Sequence, residues 1–356
     1  MKFLRCKPDA IPASTGKRIA IIGAGPAGLG AAGIMRCKGH EIVVYDQNPE
    51  PGGLILFGIP ITRIPKEPVR KGIKELIDAG VKFVLNTKVD MVGDLGLMDK
   101  VISPKNRVHL EDIINEYDAT IIATGTWKTR SMGTVGEEKN AEWVYPAVEW
   151  IVAVHMAKYG YKSWDEVPPL HGRVLIVGGG LTAADSVLIP LSYPEFKGKV
   201  SEVVLSYRRS KQYAPMGPRE IDNLILHGAK YWEQTLPVEF RREGEKKIVK
   251  FVRMRLIQTS AEKRPKPFPI EGSEFEEEFD YALKAVGVLP TPPIKDGCCG
   301  IRVDSHGVVL TDEKFMTSRK GVFAAGDVRH GPSLIGPALK SGVEVAKHIE
   351  EYLANQ

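Results

Sequence analysis

The sequence predicts an α/β chain of two domains, the second inserted into the first, and three observations carry that prediction. The apolar run Arg18-Ile19-Ala20-Ile21-Ile22 leads directly into Gly23-Ala24-Gly25-Pro26-Ala27-Gly28. Much later, Arg173-Val174-Leu175-Ile176-Val177 leads directly into Gly178-Gly179-Gly180-Leu181-Thr182-Ala183. Near the end of the chain, Gly321-Val322-Phe323-Ala324-Ala325 runs into a Gly326-Asp327 turn. Each of the first two is a strand, a tight glycine turn and a helix start. In such a unit the glycines let a pyrophosphate approach the backbone, and the helix N-terminus offers partial positive charge. The fold class is therefore α/β with two Rossmann-like dinucleotide-binding domains. The two nucleotides this pairing suggests are a flavin and a nicotinamide.

Element by element, a helix is expected from about Ala27 to Cys37 and a strand over Glu41 to Tyr45 that ends at Asp46. The Gly/Pro punctuation of Pro49 to Lys66 argues against regular structure there. Helical periodicity returns from Glu67 to Ala79, and Val81 to Leu85 reads as a buried strand. Asp118 to Ala123 is a strand entering the Thr124-Gly125 turn. Val144 to Tyr159 is expected to be an amphipathic helix, with Val167-Pro168-Pro169 as a joint. The second unit continues through a helix from Thr182 and a strand from Glu202 to Tyr207. Phe240 to Pro269, rich in Lys and Arg, reads as strands and a solvated loop, the usual meaning of such a charge run. Phe279 to Ala285 is a further strand, and prolines 290, 292 and 293 mark a crossing back. A final helix is expected from Ser333 to Leu353. This order assigns 1–130 and 288–356 to one domain and 131–287 to the inserted one.

The bulk properties narrow the possibilities. At 356 residues the chain can build two cores, and its net charge of +5 is too diffuse to indicate nucleic acid. No apolar stretch approaches membrane-spanning length, and the N-terminus lacks the apolar centre of a signal peptide, which makes the cytoplasm the default expectation. The four cysteines, Cys6, Cys37, Cys298 and Cys299, suggest neither a disulfide framework nor a metal or cluster spacing. Cys37 is expected to be a packed thiol. The Cys298-Cys299 pair is expected to be an ordinary loop feature, with a redox role as the alternative. His109, His155, His171 and His330 show no metal-ligand pattern; His330 reads as a loop histidine, with a place near the flavin as its alternative. No metal is expected.

The strand ends separate the two nucleotides. Asp46 lies 18 residues past Gly28, where a carboxylate accepts hydrogen bonds from ribose hydroxyls. The second unit instead ends its strand in Tyr207-Arg208-Arg209-Ser210, and guanidinium groups suit a 2′-phosphate, favouring NADPH over NADH. The alternative is that the two arginines simply end a strand in solvent. The Asp327 carboxylate suits a ribityl hydroxyl, with the following helix start facing the flavin.

The run Gly52-Gly53-Leu54-Ile55-Leu56-Phe57-Gly58-Ile59-Pro60, with Arg63-Ile64-Pro65-Lys66, resembles the segment beside the flavin in the small (beta) subunit family of NADPH-dependent glutamate synthase. That family is related to adrenodoxin-reductase-like modules. Ala123-Thr124-Gly125, Gly178 through Asp185, Tyr207 through Ser210, Met216 through Glu220 and Gly321 through Asp327 match further family motifs, so the resemblance spans the chain from Lys17 onward. It implies FAD on Gly23, Gly25, Pro26, Ala27, Gly28, Asp46, Gly53, Leu54, Arg63, Val89, Ala123, Thr124, Gly125, Gly326, Asp327, Ser333 and Ala338. It implies NADPH (with NADH possible) on Gly178, Gly180, Leu181, Thr182, Ala183, Arg208 and Arg209, and hydride transfer to the flavin. Three departures stand out. Only sixteen residues, with Cys6 alone, precede the first strand, where the family commonly has a cysteine-rich iron–sulfur domain. Asp46 replaces the more usual Glu, and Leu181 occupies a usually polar position.

The cofactors carry this chemistry, so no catalytic side chain is nominated. The leading expectation is an FAD-dependent NAD(P)H oxidoreductase that passes electrons to an iron–sulfur partner subunit or ferredoxin, as part of a homo- or hetero-oligomer. A self-contained oxidase or reductase of a small acceptor and a flavin-carrying scaffold are the alternatives. Disulfide reduction is disfavoured, because neither Gly53 to Lys66 nor Tyr161 to Gly180 contains a cysteine.

Overall fold

A five-stranded parallel sheet runs in the order Val322–Ala324, Ala119–Ile122, Arg18–Ile22, Glu41–Tyr45, Lys82–Val84. The computed structural model describes residues 1–90, 97–258 and 264–356. Ile19 to Ile22 and Ala119 to Ile122 are buried throughout. An uninterrupted apolar run is what a strand covered on both faces requires. Helix Pro26–Arg36 follows the first strand, opened by a proline in its first turn, where the missing N–H costs nothing. It packs against the last helix, Ile335–Leu353.

A second five-stranded parallel sheet runs Lys230–Glu233, Val200–Tyr207, Gly172–Val177, Tyr281–Lys284, Val144–Pro146. Beside it, an antiparallel sheet is built from Thr235–Glu243, Lys246–Ile257, Lys266–Pro269 and Phe275–Glu278. The Lys- and Arg-rich stretch forms these strands. Arg241 pairs with Glu276 across them while Phe251 stacks on Phe275 with ring centroids 5.2 Å apart, so charge and aromatic surface divide between faces. The loop expected in that stretch includes 259–263, which lie outside the described residues.

The chain divides into two compact units. One comprises Met1–Lys128, His155–Lys162 and Val288–Gln356; the other comprises Thr129–Val154 and Ser163–Gly287. The expected inserted segment, 131–287, thus gives up residues 155–162 to the first unit. The reason is local: His155 bonds the Phe57 carbonyl, and the rings of Tyr159 and Tyr161 pack on Phe57.

Three further expectations are corrected. Helix Ala147–Lys158 is not amphipathic, because every residue from Ala147 to Ala157 is buried and its sequence offers no polar stripe. The stretch Pro49 to Lys66 contains a short helix, Leu54–Phe57, entered through Gly53 at φ 55°. And Cys6 and Cys37 form a disulfide, with Cα atoms 5.8 Å apart. Cysteine spacing could not reveal it, because it depends on the N-terminal segment folding back. Phe3 and Leu4 are buried, and the Phe3 carbonyl lies where a side chain at Gly33 would sit, which brings Cys6 to the end of the helix. Closing a loop of that length gains roughly 3–4 kcal/mol in the chain-entropy account. Cys298 and Cys299 are free and half-buried. Burial first, then a hydrogen bond to Glu111, pushes the Cys299 thiol up to about 12, which disfavours its thiolate.

The buried helix also sets a pH response. Burial drives the His155 imidazole down from 6.5 to about 4, against the pull of its bond to the Phe57 carbonyl. Between those values the unfolded chain takes a proton that the folded chain refuses. Stability is therefore full above about pH 6.5 and falls as the pH drops toward 4. We expect the protein to lose about 2 kcal/mol more stability between pH 7 and pH 5 than His155→Asn does. Equal losses in urea denaturation of the two would show that the imidazole is not held neutral.

Among the described residues, no helix is long and apolar enough to cross a membrane, and no group of three or more His, Cys, Asp or Glu side chains is placed to hold a metal.

Candidate functional site

The first glycine loop is packed on one side and open on the other. A side chain at Gly23 would strike the Ala123 carbonyl at 2.4 Å, and one at Gly28 would strike the Gly23 carbonyl at 1.9 Å. These two glycines let the helix approach the strands. Gly25 differs: its φ of −77° suits any residue, and nothing lies within 4 Å of where a side chain would begin. Only something outside the chain would require a glycine there.

Several predicted residues converge on this loop. Asp46 is buried beside it, accepting the Ala24 N–H at 2.6 Å and both the backbone and side-chain N–H groups of Asn48 at 2.8 Å. Burial raises the Asp46 carboxyl, and these three donors pull it back. Gly53 backs onto Gly25, and Gly52 N–H bonds the Ala24 carbonyl at 2.8 Å. Ala27 abuts Gly326. Asp46, Val89, Thr124 and Trp127 line one cavity together with Gly23. Two polar atoms of its lining residues, the Asn48 side-chain oxygen and the Thr124 hydroxyl, are buried with no hydrogen-bond partner among the described residues. Buried polar groups usually find a partner in protein, water or a ligand, and the hydroxyls and amino groups of a nucleotide fit these two atoms.

Asp327 opens a short helix and is held from both sides: Ser333 Oγ donates to Oδ1 at 2.7 Å and Thr126 Oγ1 to Oδ2 at 3.3 Å. Ala338 is buried on the last helix, while Leu54 is half-buried at the head of its own. Arg63 closes a turn on the Pro60 carbonyl and is not among the cavity's lining residues. His330 is exposed at the end of the short helix Asp327–His330 rather than in a loop, with Nδ1 bonding the neighbouring Gly331 carbonyl at 3.0 Å. Sequence reasoning passed over Asn48, Thr126 and Thr291. Thr291 N–H holds the Gly125 carbonyl at 3.0 Å from a distant part of the chain. No local motif marks any of the three.

The second loop repeats the pattern. A side chain at Gly178 would strike the Ala285 carbonyl at 2.3 Å, and one at Gly179 would strike the Tyr207 ring. Gly180, with φ −96°, faces open space at the head of helix Leu181–Ser192. Leu181 is exposed, Thr182 half-buried and Ala183 fully buried. Met216 N–H bonds the Gly179 carbonyl at 3.0 Å, tying that segment to the loop. The two arginines part company: Arg208 is exposed, whereas Arg209 is half-buried with its Nε donating to the Pro265 carbonyl at 3.1 Å.

Two Rossmann-type units, each with a glycine loop open on one side, define the two-domain α/β architecture of dinucleotide-type oxidoreductases. The model of the pyridine nucleotide-disulphide oxidoreductase family matches residues 17–342, and the chain belongs to that family. It is 31% identical over 95% of its length to the small chain of NADPH glutamate synthase from Escherichia coli (strain K12), spanning 69% of that protein. It is equally similar, at 31% over 95%, to the putative oxidoreductase AegA of the same organism, but spans only about half (49%) of it. In fold it is similar to Mycobacterium tuberculosis FprA in complex with NADPH, with TM-score 0.76 and 17% identity over 95% of this chain and 85% of that one.

Proposed function

We propose that the first unit binds FAD, that the second binds NADPH, and that reducing equivalents pass from NADPH through the flavin to an iron–sulfur protein or partner subunit. The observation that carries this reading is the matched vacancy at Gly25 and Gly180. Each sits at a helix N-terminus, in ordinary backbone geometry, with open space where any other residue would put a side chain. When bound, the two cofactors supply the hydride donor and acceptor.

The chain's own residues have separate tasks. Asp46, Asn48 and Thr124 would hold the adenosine end of FAD through hydroxyl and amide bonds. Asp327, fixed by Thr126 and Ser333, would accept from a ribityl hydroxyl. Gly53 and Leu54 would run along the flavin. Arg208 would meet the 2′-phosphate of NADPH, with Arg209 behind it. Transfer onward to a partner is supported by the similar proteins, which include a small chain of glutamate synthase and the beta subunit of an NADP-dependent formate dehydrogenase. The Cys6–Cys37 disulfide does not suit a substrate-reducing role. It closes at the far end of helix Pro26–Arg36, about 16 Å from the glycine loop by helix rise.

The test is an anaerobic titration of the FAD-loaded protein with NADPH and then NADH, followed by flavin absorbance. Bleaching by NADPH at lower concentration than by NADH is expected. Bound flavin that neither nucleotide bleaches would reject the reductase reading in favour of a flavin-carrying scaffold. Rapid turnover with oxygen or dyes, and none with ferredoxin, would reject the iron–sulfur acceptor.

A further inference from the structure

The short helix Leu54–Phe57 has an unusual support. A four-residue helix leaves its last carbonyls without intrahelical partners, and here side chains from distant positions satisfy them. Lys66 Nζ donates to the Ile55 carbonyl at 2.5 Å and to that of Ile59, just past the helix, at 2.8 Å. Tyr159 Oη donates to the Leu56 carbonyl at 3.3 Å. His155 Nδ1 bonds the Phe57 carbonyl at 2.8 Å. Lys66 and His155 are both buried, and His155 stacks on the Tyr159 ring at an angle of 12°. Since the imidazole is kept neutral, Nδ1 must carry the proton to make its bond.

The start of the same segment is fixed too. Glu50 takes a two-pronged bond from Arg70, at 2.6 and 3.0 Å, and another from Tyr161 Oη at 3.0 Å. Arg70 in turn lies over the Tyr159 ring, 5.1 Å from its centroid. The stretch between these supports holds Gly52, Gly53 and Leu54. Gly53 is the residue that backs onto the open glycine of the first loop. A core helix would not need a buried ammonium and a buried imidazole to anchor it when apolar packing would serve; a segment that must hold a fixed pose against a ligand does.

We propose that Lys66, His155 and Tyr159 are positioning residues for the flavin: they cap the carbonyl end of helix Leu54–Phe57 and so hold Gly53 and Leu54 against the isoalloxazine. The inference rests on the proposed FAD site and adds residues the glycine motif does not contain. It gives the excursion of His155–Lys162 into the first unit a function. The buried Lys66 ammonium also adds positive charge behind the flavin-facing segment, which favours the reduced, anionic flavin.

The test uses the FAD-reconstituted full chain and two matched pairs, Lys66→Met with Lys66→Arg and His155→Leu with His155→Asn. FAD dissociation constant and flavin reduction potential are measured for each. Lys66→Met and His155→Leu are expected to weaken FAD binding about tenfold or more, the scale of a lost buried hydrogen bond. Lys66→Met is also expected to lower the flavin potential, and the Arg and Asn partners to restore wild-type values. If Lys66→Met does not fold, the His155 pair decides alone. Met and Leu variants that melt earlier but keep wild-type affinity and potential would overturn the proposal, leaving the cap a purely structural one. In that case a wild type that still takes up FAD and bleaches with NADPH keeps the FAD site. A wild type that takes up no FAD overturns both.

Discussion

Gly25→Val is expected to leave the chain folded and strip it of FAD. The valine would start from φ −77°, which it adopts without strain, and its Cβ would have nothing within 4 Å. As the residue preceding the helix, a valine there costs at most about 1 kcal/mol of capping. The isopropyl group would occupy the space in which a pyrophosphate meets the backbone. Losing two charge-assisted hydrogen bonds, at about 1.5–3 kcal/mol each, weakens binding at least about 100-fold. Gly180→Val is its counterpart in the second unit: FAD is retained, and bleaching by NADPH is lost. Gly28→Ala is the contrast, since a methyl group there lies 1.9 Å from the Gly23 carbonyl and must unfold the turn before it empties the site. Flavin content, thermal unfolding and NADPH titration of the three variants separate these outcomes. A Gly25→Val protein that keeps its flavin would show that no phosphate lies against that loop.

This difference between glycines was not legible in the sequence. Gly23, Gly25 and Gly28 are equivalent letters in a motif; only packing reveals that two are closed against the backbone and one faces open space. The periodic elements were legible, because an apolar run between a basic residue and a glycine turn has few alternatives. So was Asp46, whose place at a strand end follows from counting. What escaped depended on distant parts of the chain meeting. The Cys6–Cys37 bond requires the N-terminal segment to return to the first helix. Asn48 and Thr126 matter through Asp46 and Asp327, not through any motif of their own. Helix Ala147–Lys158 read as amphipathic because its ends carry polar residues, whereas Glu149 and His155 are buried and bonded inside.

The two arginines at the second strand end carry the other large effect. Their adjacency suggested a shared grip on a phosphate, yet their surroundings differ. Arg209 has its Nε committed to the Pro265 carbonyl, so part of its fork already serves the neighbouring hairpin. Arg208 is exposed at the same strand end and has no such tie among the described residues. Arg208→Leu is therefore expected to raise the NADPH concentration needed for half-bleaching by about 10- to 150-fold, the worth of a charge-assisted bond of about 1.5–3 kcal/mol. NADH, which has no 2′-phosphate, should be almost unaffected, so the preference between the two would collapse. Arg209→Leu should weaken NADPH less selectively and lower the melting temperature, because it also releases the hairpin from the strand end. Equal weakening of both nucleotides by Arg208→Leu would mean that the guanidinium meets a phosphate they share. No change with either would mean that Arg208 ends a strand in solvent, and the preference for NADPH would have to come from elsewhere in the second unit.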